Sequence, residues 1–167
     1  LRILDRFRLR VVVLEVEQML AAGAGLYEDE VLNLCGGYYA ILGKYDEAAA
    51  KLNILKRKPD SPLAEEAAYK LAVLWLKNEK TNPAVEAIQD LAQSYPRNKR
   101  IPELLLRAAD LFHNQKKFDQ TIALCEQLKT RYPQSYEALA GRYLVGLCYR
   151  DRGKHDKAIE VFDEVGR

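Results

Sequence analysis

Histidine is nearly absent from this chain of 167 residues, with only His113 and His155. Cysteine is scarce too, at Cys35, Cys125 and Cys148. Neither type falls at metal-ligand spacing: there is no C-x-x-C and no H-x-x-x-H, so no metal site is expected. Phosphate-cradling loops of the G-x-x-x-x-G-K-[ST] or G-x-G-x-x-G kind are missing as well. No nucleophile, base and orienting group can be assembled, so the sequence argues against an enzyme and calls for no cofactor. An odd number of cysteines excludes a closed disulfide framework. All three sit among apolar neighbours and read as small buried hydrophobes. A Cys125–Cys148 bridge is open but not demanded, and the odd count leans towards a reducing compartment. No apolar run approaches the roughly 18 residues of a membrane span; the longest, Val11-Val12-Val13-Leu14, stops at Glu15. Charge of one sign is not in excess: 26 Lys and Arg face 24 Asp and Glu, which argues against a dedicated nucleic-acid binder. Six Pro and nine Gly exclude collagen-like and low-complexity classes. What is present is 49% hydrophobic and 30% charged, enough for a packed core. The chain starts at Leu1 and ends at Arg167 straight after a helical pattern, so both ends read as cut from something longer.

The strongest positive signal is an internal repeat. Gly36, Ala72, Ala109 and Gly146 form a column of small residues spaced 36, 37 and 37 apart. Ala48, Ala84, Thr121 and Ala158 form a second with the same spacings. An aromatic follows each member of the first column three residues later: Tyr39, Trp75, Phe112 and Tyr149. A bulky apolar residue or Cys follows each member of the second four later: Leu52, Ile88, Cys125 and Phe162. Prolines close the units at Pro59, Pro96 and Pro133.

Within each unit the apolar spacing is three and four, which is helical rather than strand-like. Polar breaks such as Gly43-Lys44 and Asp151-Arg152-Gly153-Lys154 divide each unit into two helices. Gly43 and Gly153 suit the left-handed residue that ends a helix. Pro83 suits the first turn of the next one. Tyr95-Pro96 and Tyr132-Pro133 mark helix ends, since the residue before Pro avoids helical backbone. Ser61 and Ser135 suit N-caps. Each unit is therefore a helical hairpin, with the small residue allowing close approach and neighbours stacking to bury apolar faces. Helix is expected even over Val11-Val12-Val13.

These columns resemble the tetratricopeptide repeat, whose pattern sets small, aromatic, Ala and Pro positions at fixed offsets. Gly43-Lys44-Tyr45-Asp46-Glu47-Ala48 and Gly153-Lys154-His155-Asp156-Lys157-Ala158 are similar to that family's turn. The resemblance implies an all-α fold: a right-handed α-solenoid of stacked antiparallel hairpins, forming a single domain over 1–167. Its repeats are 29–64, 65–101, 102–138 and 139–167, with 1–28 a partial or divergent leading repeat. Extending the register backwards puts Leu9, Val12, Val16 and Met19 on core columns; a single helix over 1–22 is the alternative. Ala21 to Gly25 reads as a turn either way. The period exceeds the family's usual one, and the Tyr-Pro joints resemble bacterial envelope members. Two such are the periplasmic Tol–Pal coordinator and the lipoprotein of the barrel-assembly machinery. That implies the periplasm or cell envelope; the cytoplasm is the alternative.

The resemblance also implies that the first helices line a concave, partner-binding face. The residues placed there are Asn33, Tyr69, Val73, Leu76, Leu106, Asp110, His113, Tyr143, Leu147 and Arg150. The set is mostly apolar and lacks the Lys and Asn constellation of carboxylate-clamp repeats. It suits a protein partner's helix or apolar peptide, with no nucleic acid and no membrane span, and leaves a homo-oligomer through the groove or the cut ends open. The leading reading is a non-enzymatic protein-interaction scaffold. The alternative is a structural segment of a larger enzyme or membrane complex, its groove filled by its own flanks. His155 stands where other repeats place Tyr45 and Phe118 and reads as half-buried packing. Lys56-Arg57-Lys58 reads as favourable charge at a helix C-terminus.

Overall fold

Helices are the only regular elements in the computed structural model, which describes residues 10–18 and 27–166. The first, α1, covers residues 10–18 and includes the three valines. Then follow α2 (Glu28–Ile41), α3 (Tyr45–Lys56), α4 (Ala64–Lys77), α5 (Thr81–Ser94), α6 (Ile101–Asn114), α7 (Phe118–Arg131), α8 (Tyr136–Asp151) and α9 (His155–Val165). The chain packs as two units, Leu1–Asn78 and Glu79–Arg167. In the first, α2 packs on α3 and α3 on α4. In the second, each helix packs on the next from α5 to α9, and the alternate helices α6 and α8 also lie side by side.

The turns explain the hairpins. After α2 the chain takes a left-handed residue, Gly43 (φ 76°). The Lys44 amide then reaches back to the Tyr39 carbonyl at 2.9 Å. That is a Schellman closure, which satisfies a carbonyl left over at the helix end. It recurs from Lys117 to Phe112 and from Lys154 to Tyr149, each at 2.9 Å. Glycine supplies the left-handed residue again at Gly153 (φ 71°), but Glu79 (φ 54°) and Lys116 (φ 58°) take it at the equivalent positions. The ammonium groups of Lys44 and Lys117 lie 5.5 and 5.6 Å from the rings of Tyr39 and Phe112, so the turn lysine covers the repeat's aromatic. Tyr95 and Tyr132 leave helical backbone at φ −134° and −133°, one residue before their prolines.

The small-residue column sits where it was expected. A Cβ added to Gly36 would stand 2.6 Å from Leu52 Cγ, and one on Gly146 would overlap the Phe162 ring. Ala72 and Ala109 are fully buried. In the α6–α7 hairpin the Thr121 hydroxyl, in the Ala column, has its one proton within reach of two carbonyls, Ala109 (3.3 Å) and Lys117 (3.2 Å). Leu52, Leu55, Ile88, Leu91, Ile101, Leu104, Leu105 and Leu128 are fully buried, each worth about 1.5–3 kcal/mol of burial.

Several expectations need correcting. Within α1 the buried valine is Val13; Val12 is exposed and Val16 half-buried. The register carried back from α2 was one residue out, because no repeat column fixes the length of the intervening connection. Leu9, Met19, the segment before residue 10 and the Ala21 to Gly25 turn lie outside the described residues. Ser135 caps α8, accepting from the Ala138 amide at 3.0 Å. Ser61 does not cap α4: it heads a separate turn, accepting from the Leu63 amide at 3.2 Å, and the helix starts at Ala64. Lys58 lies beyond α3 and bridges Glu28 (2.6 Å) and Asp29 (2.9 Å) in the first turn of α2. A direct ion pair, rather than the α3 terminus, accounts for it. His155 is exposed at the start of α9.

Candidate functional site

The first helices carry a groove in each unit. In the first unit, α2 and α4 flank a groove of about 350 Å³. Gly37 and Ile41 stand on one wall, Tyr69 and Val73 on the other, and Tyr45 and Leu52 of α3 also line it. A Cβ on Gly37 would meet nothing within 4 Å, so this glycine leaves the groove open. Lys70, also in the lining, donates to Asn33 Oδ1 at 2.6 Å and ties the two first helices together. Tyr69 and Val73 are half-buried and Ile41 is 49% exposed. Leu76 is buried and does not line this groove; α4 buries Leu74 and Leu76 beyond its Ala64, Ala67, Ala68, Leu71 and Ala72 face.

In the second unit, α6 and α8 flank a groove of about 400 Å³. The expected residues Leu106, Asp110, Tyr143 and Leu147 meet here. Tyr136, Leu139, Ala140, Leu144 and Val165 also line it and were not anticipated. Tyr136 is 76% exposed, Tyr143 52% and Leu139 45%. Their signal was available: Tyr136, Leu139, Tyr143 and Leu147 recur at three and four residues along α8. The apolar lining desolvates the Asp110 carboxyl and pushes its pKa above the ordinary carboxylate value, with His113 pulling weakly the other way.

His113 and Arg150 are not in this groove. His113 Nε2 lies 3.0 Å from Asp151 Oδ2, and Arg150 meets Asp151 Oδ1 at 2.9 Å through Nε and 2.8 Å through its terminal nitrogen. Asp151, unforeseen, thus gathers both, and the Arg150 hydrogen bond, followed by that of His113, holds its carboxyl below the ordinary value. Phe118 lies tilted beside the His113 ring at 5.6 Å and under Arg152 at 5.4 Å, while Arg152 pairs with Asp119 at 2.6 Å. This cluster joins the ends of α6 and α8 to the start of α7.

The three thiols are free and buried. Burial pushes Cys125 up to about 12 and Cys148 up to about 11, so neither offers a thiolate nucleophile near neutral pH. Among the described residues no three His, Cys, Asp or Glu side chains gather as a metal site. No helix among them is long and apolar enough to cross a membrane.

Family models described as "Tetratricopeptide repeat" match residues 38–99, and 103–135 with 141–167, together most of the chain. The chain belongs to the tetratricopeptide-repeat family. Its repeats make it a protein-interaction scaffold by class, and that class is typically non-enzymatic. Solved structures of the same fold include MamA MSR-1, at TM-score 0.58 and 20% identity over 97% of this chain and 87% of that one. MamA AMB-1 gives 0.60 and 20% over 97% and 83%. A Podosopora anserina putative kinesin light chain with nearly identical TPR-like repeats gives 0.58 and 16% over 96% and 87%. At these identities the likeness shows the fold alone. No curated protein matches the chain. In the tetratricopeptide repeats of this chain, the two grooves fall on the first helices.

Proposed function

We propose that this tetratricopeptide protein is a non-enzymatic scaffold that holds a partner's helix or apolar peptide against its first helices. The carrying observation is the second-unit groove, an apolar channel that leaves Tyr136, Leu139 and Tyr143 exposed. Aromatic side chains in such a position offer large contact area at little entropic cost, and a contiguous apolar patch marks an interface. The first-unit groove, with Tyr69 and Val73, is a second place for apolar anchors. Asp110 orients rather than drives binding, so affinity depends weakly on salt, unlike a charge clamp. The Tyr-Pro joints support a narrower setting in a bacterial cell-envelope complex; recovery of the protein with the cytosol on fractionation would reject that setting.

The test is selection of helical and extended peptides from a displayed library against the protein, followed by affinity measurement. Tyr143→Ala and Tyr69→Ala probe the two grooves separately, and each truncation of a true anchor costs about 2 kcal/mol or more. Unchanged binding by both variants, with helicity intact, would move the site to the opposite helices or the loops.

A further inference from the structure

Among the residues lining the second-unit groove, one carries charge: Asp110. It stands on α6 with Leu106, facing Tyr143 and Leu147 of α8. It is exposed, and among the described residues it has no hydrogen-bond or ion-pair partner. The basic side chains that could reach towards it from the same helices are taken. His113, three residues on, meets Asp151 at 3.0 Å. Arg150 meets the same carboxylate at 2.8 Å. Arg107 pairs with Glu103 at 3.5 Å, and Arg142 with Glu164 at 3.4 Å. The groove therefore presents a single anion inside an apolar wall, offset only by the weak pull of His113.

We propose that this groove selects a segment whose apolar side chains flank a Lys or Arg, the cation meeting the Asp110 carboxylate while the flanking residues pack on Tyr136, Tyr143 and Leu147. The inference rests on the groove reading above and adds the chemistry of the occupant. A wholly apolar segment would cover Asp110 and leave a buried charge unpaired, at a cost in affinity. An acidic segment would meet like charge. A basic one restores to the carboxylate what its apolar surroundings withhold, which agrees with the raised pKa of Asp110. Charge complementarity of this kind governs choice among partners more than raw affinity.

The probe is a set of apolar helical peptides alike except at one central position, which holds Lys, its neutral isostere norleucine, or Glu. Binding to the full chain is read by fluorescence anisotropy. The Lys peptide is expected to bind about fivefold to tenfold more tightly than the norleucine peptide, and Glu most weakly. Asp110→Asn removes the Lys preference and Asp110→Lys transfers it to Glu, with circular dichroism confirming that both variants keep their helix. If Tyr143→Ala weakens every peptide but Lys and norleucine bind the parent equally, the groove stands and the selection for a cation falls. If Tyr143→Ala changes nothing, or no peptide binds, the groove reading itself fails. If the free protein self-associates in sedimentation and Tyr143→Ala disperses it, the occupant is a second copy and the proposal is overturned.

Discussion

Gly36 and Gly37 are adjacent on α2, yet alanine should have opposite effects at the two. Both substitutions gain the same backbone term, since replacing a helix-interior glycine by alanine favours the folded state by about 1 kcal/mol. The surroundings differ. At Gly37 a new Cβ meets nothing within 4 Å. At Gly36 it would lie 2.6 Å from Leu52 Cγ and 2.7 Å from Leu52 Cδ2. Leu52 is 2% exposed, so it has no open side to swing into. Its Cγ is a branch point, not a free end, and relief requires a new rotamer or a shift of α3, at about 1–3 kcal/mol. Gly37→Ala should therefore stabilise by about 1 kcal/mol, and Gly36→Ala should range from neutral to about 2 kcal/mol destabilising. Urea unfolding followed by far-UV circular dichroism measures both, read as midpoint shifts at unchanged slope. If Gly36→Ala gained as much as Gly37→Ala, the close approach of α2 and α3 at Leu52 would be wrong.

Two further outcomes follow from the turns and the core. Glu79→Gly and Lys116→Gly should each stabilise by about 0.5–1 kcal/mol, because left-handed backbone costs a side chain more than a glycine loses in unfolded freedom; no gain in urea midpoint at either would refute the strain. The buried thiols make alkaline pH destabilising. Cys125 and Cys148 titrate in the fold at about 12 and about 11 against an ordinary 9.0, so the unfolded chain loses those protons first. Their contribution is whole below about pH 9 and is lost as pH rises towards the folded values, with Tyr39, also pushed up to about 12, adding to the decline above its ordinary 10.0. Unfolding midpoints that stay flat through that range, or rapid reaction of all three thiols with a disulfide reagent before unfolding, would contradict their burial.

Most of the hairpin architecture was legible because it rests on local necessities. A helix crossing needs a small residue, so Gly36 and Gly146 announced themselves. A residue before Pro leaves the helix, so Tyr95 and Tyr132 did too. What stayed hidden depends on partners distant in sequence. His113 shares a helix face with groove residues, yet it meets Asp151, and no spacing rule reports a pair made across 38 positions; Arg150 turns to the same carboxylate, its neighbour in sequence. Leu76 was misplaced because a one-stripe reading of α4 understates how far round that helix is buried. Glu79 and Lys116 carry no sign of left-handed backbone in their side chains, and their alignment with Gly43 and Gly153 in the repeat is the one sequence feature that corresponds to it. Tyr136 and Leu139 were within reach and were passed over because the packing columns start later in α8.

The glycine seats have a consequence for how such a chain can change. Gly36 accepts Leu52, and Gly146 accepts the larger Phe162 ring, so the size of the second side chain is permitted by the missing atoms of the first. The repeat columns hold two settings: glycine aligned with Leu52 and Phe162, and alanine aligned with Ile88 and Cys125. A methyl at either glycine asks the facing side chain to move, and the Phe162 ring has more bulk to move than Leu52.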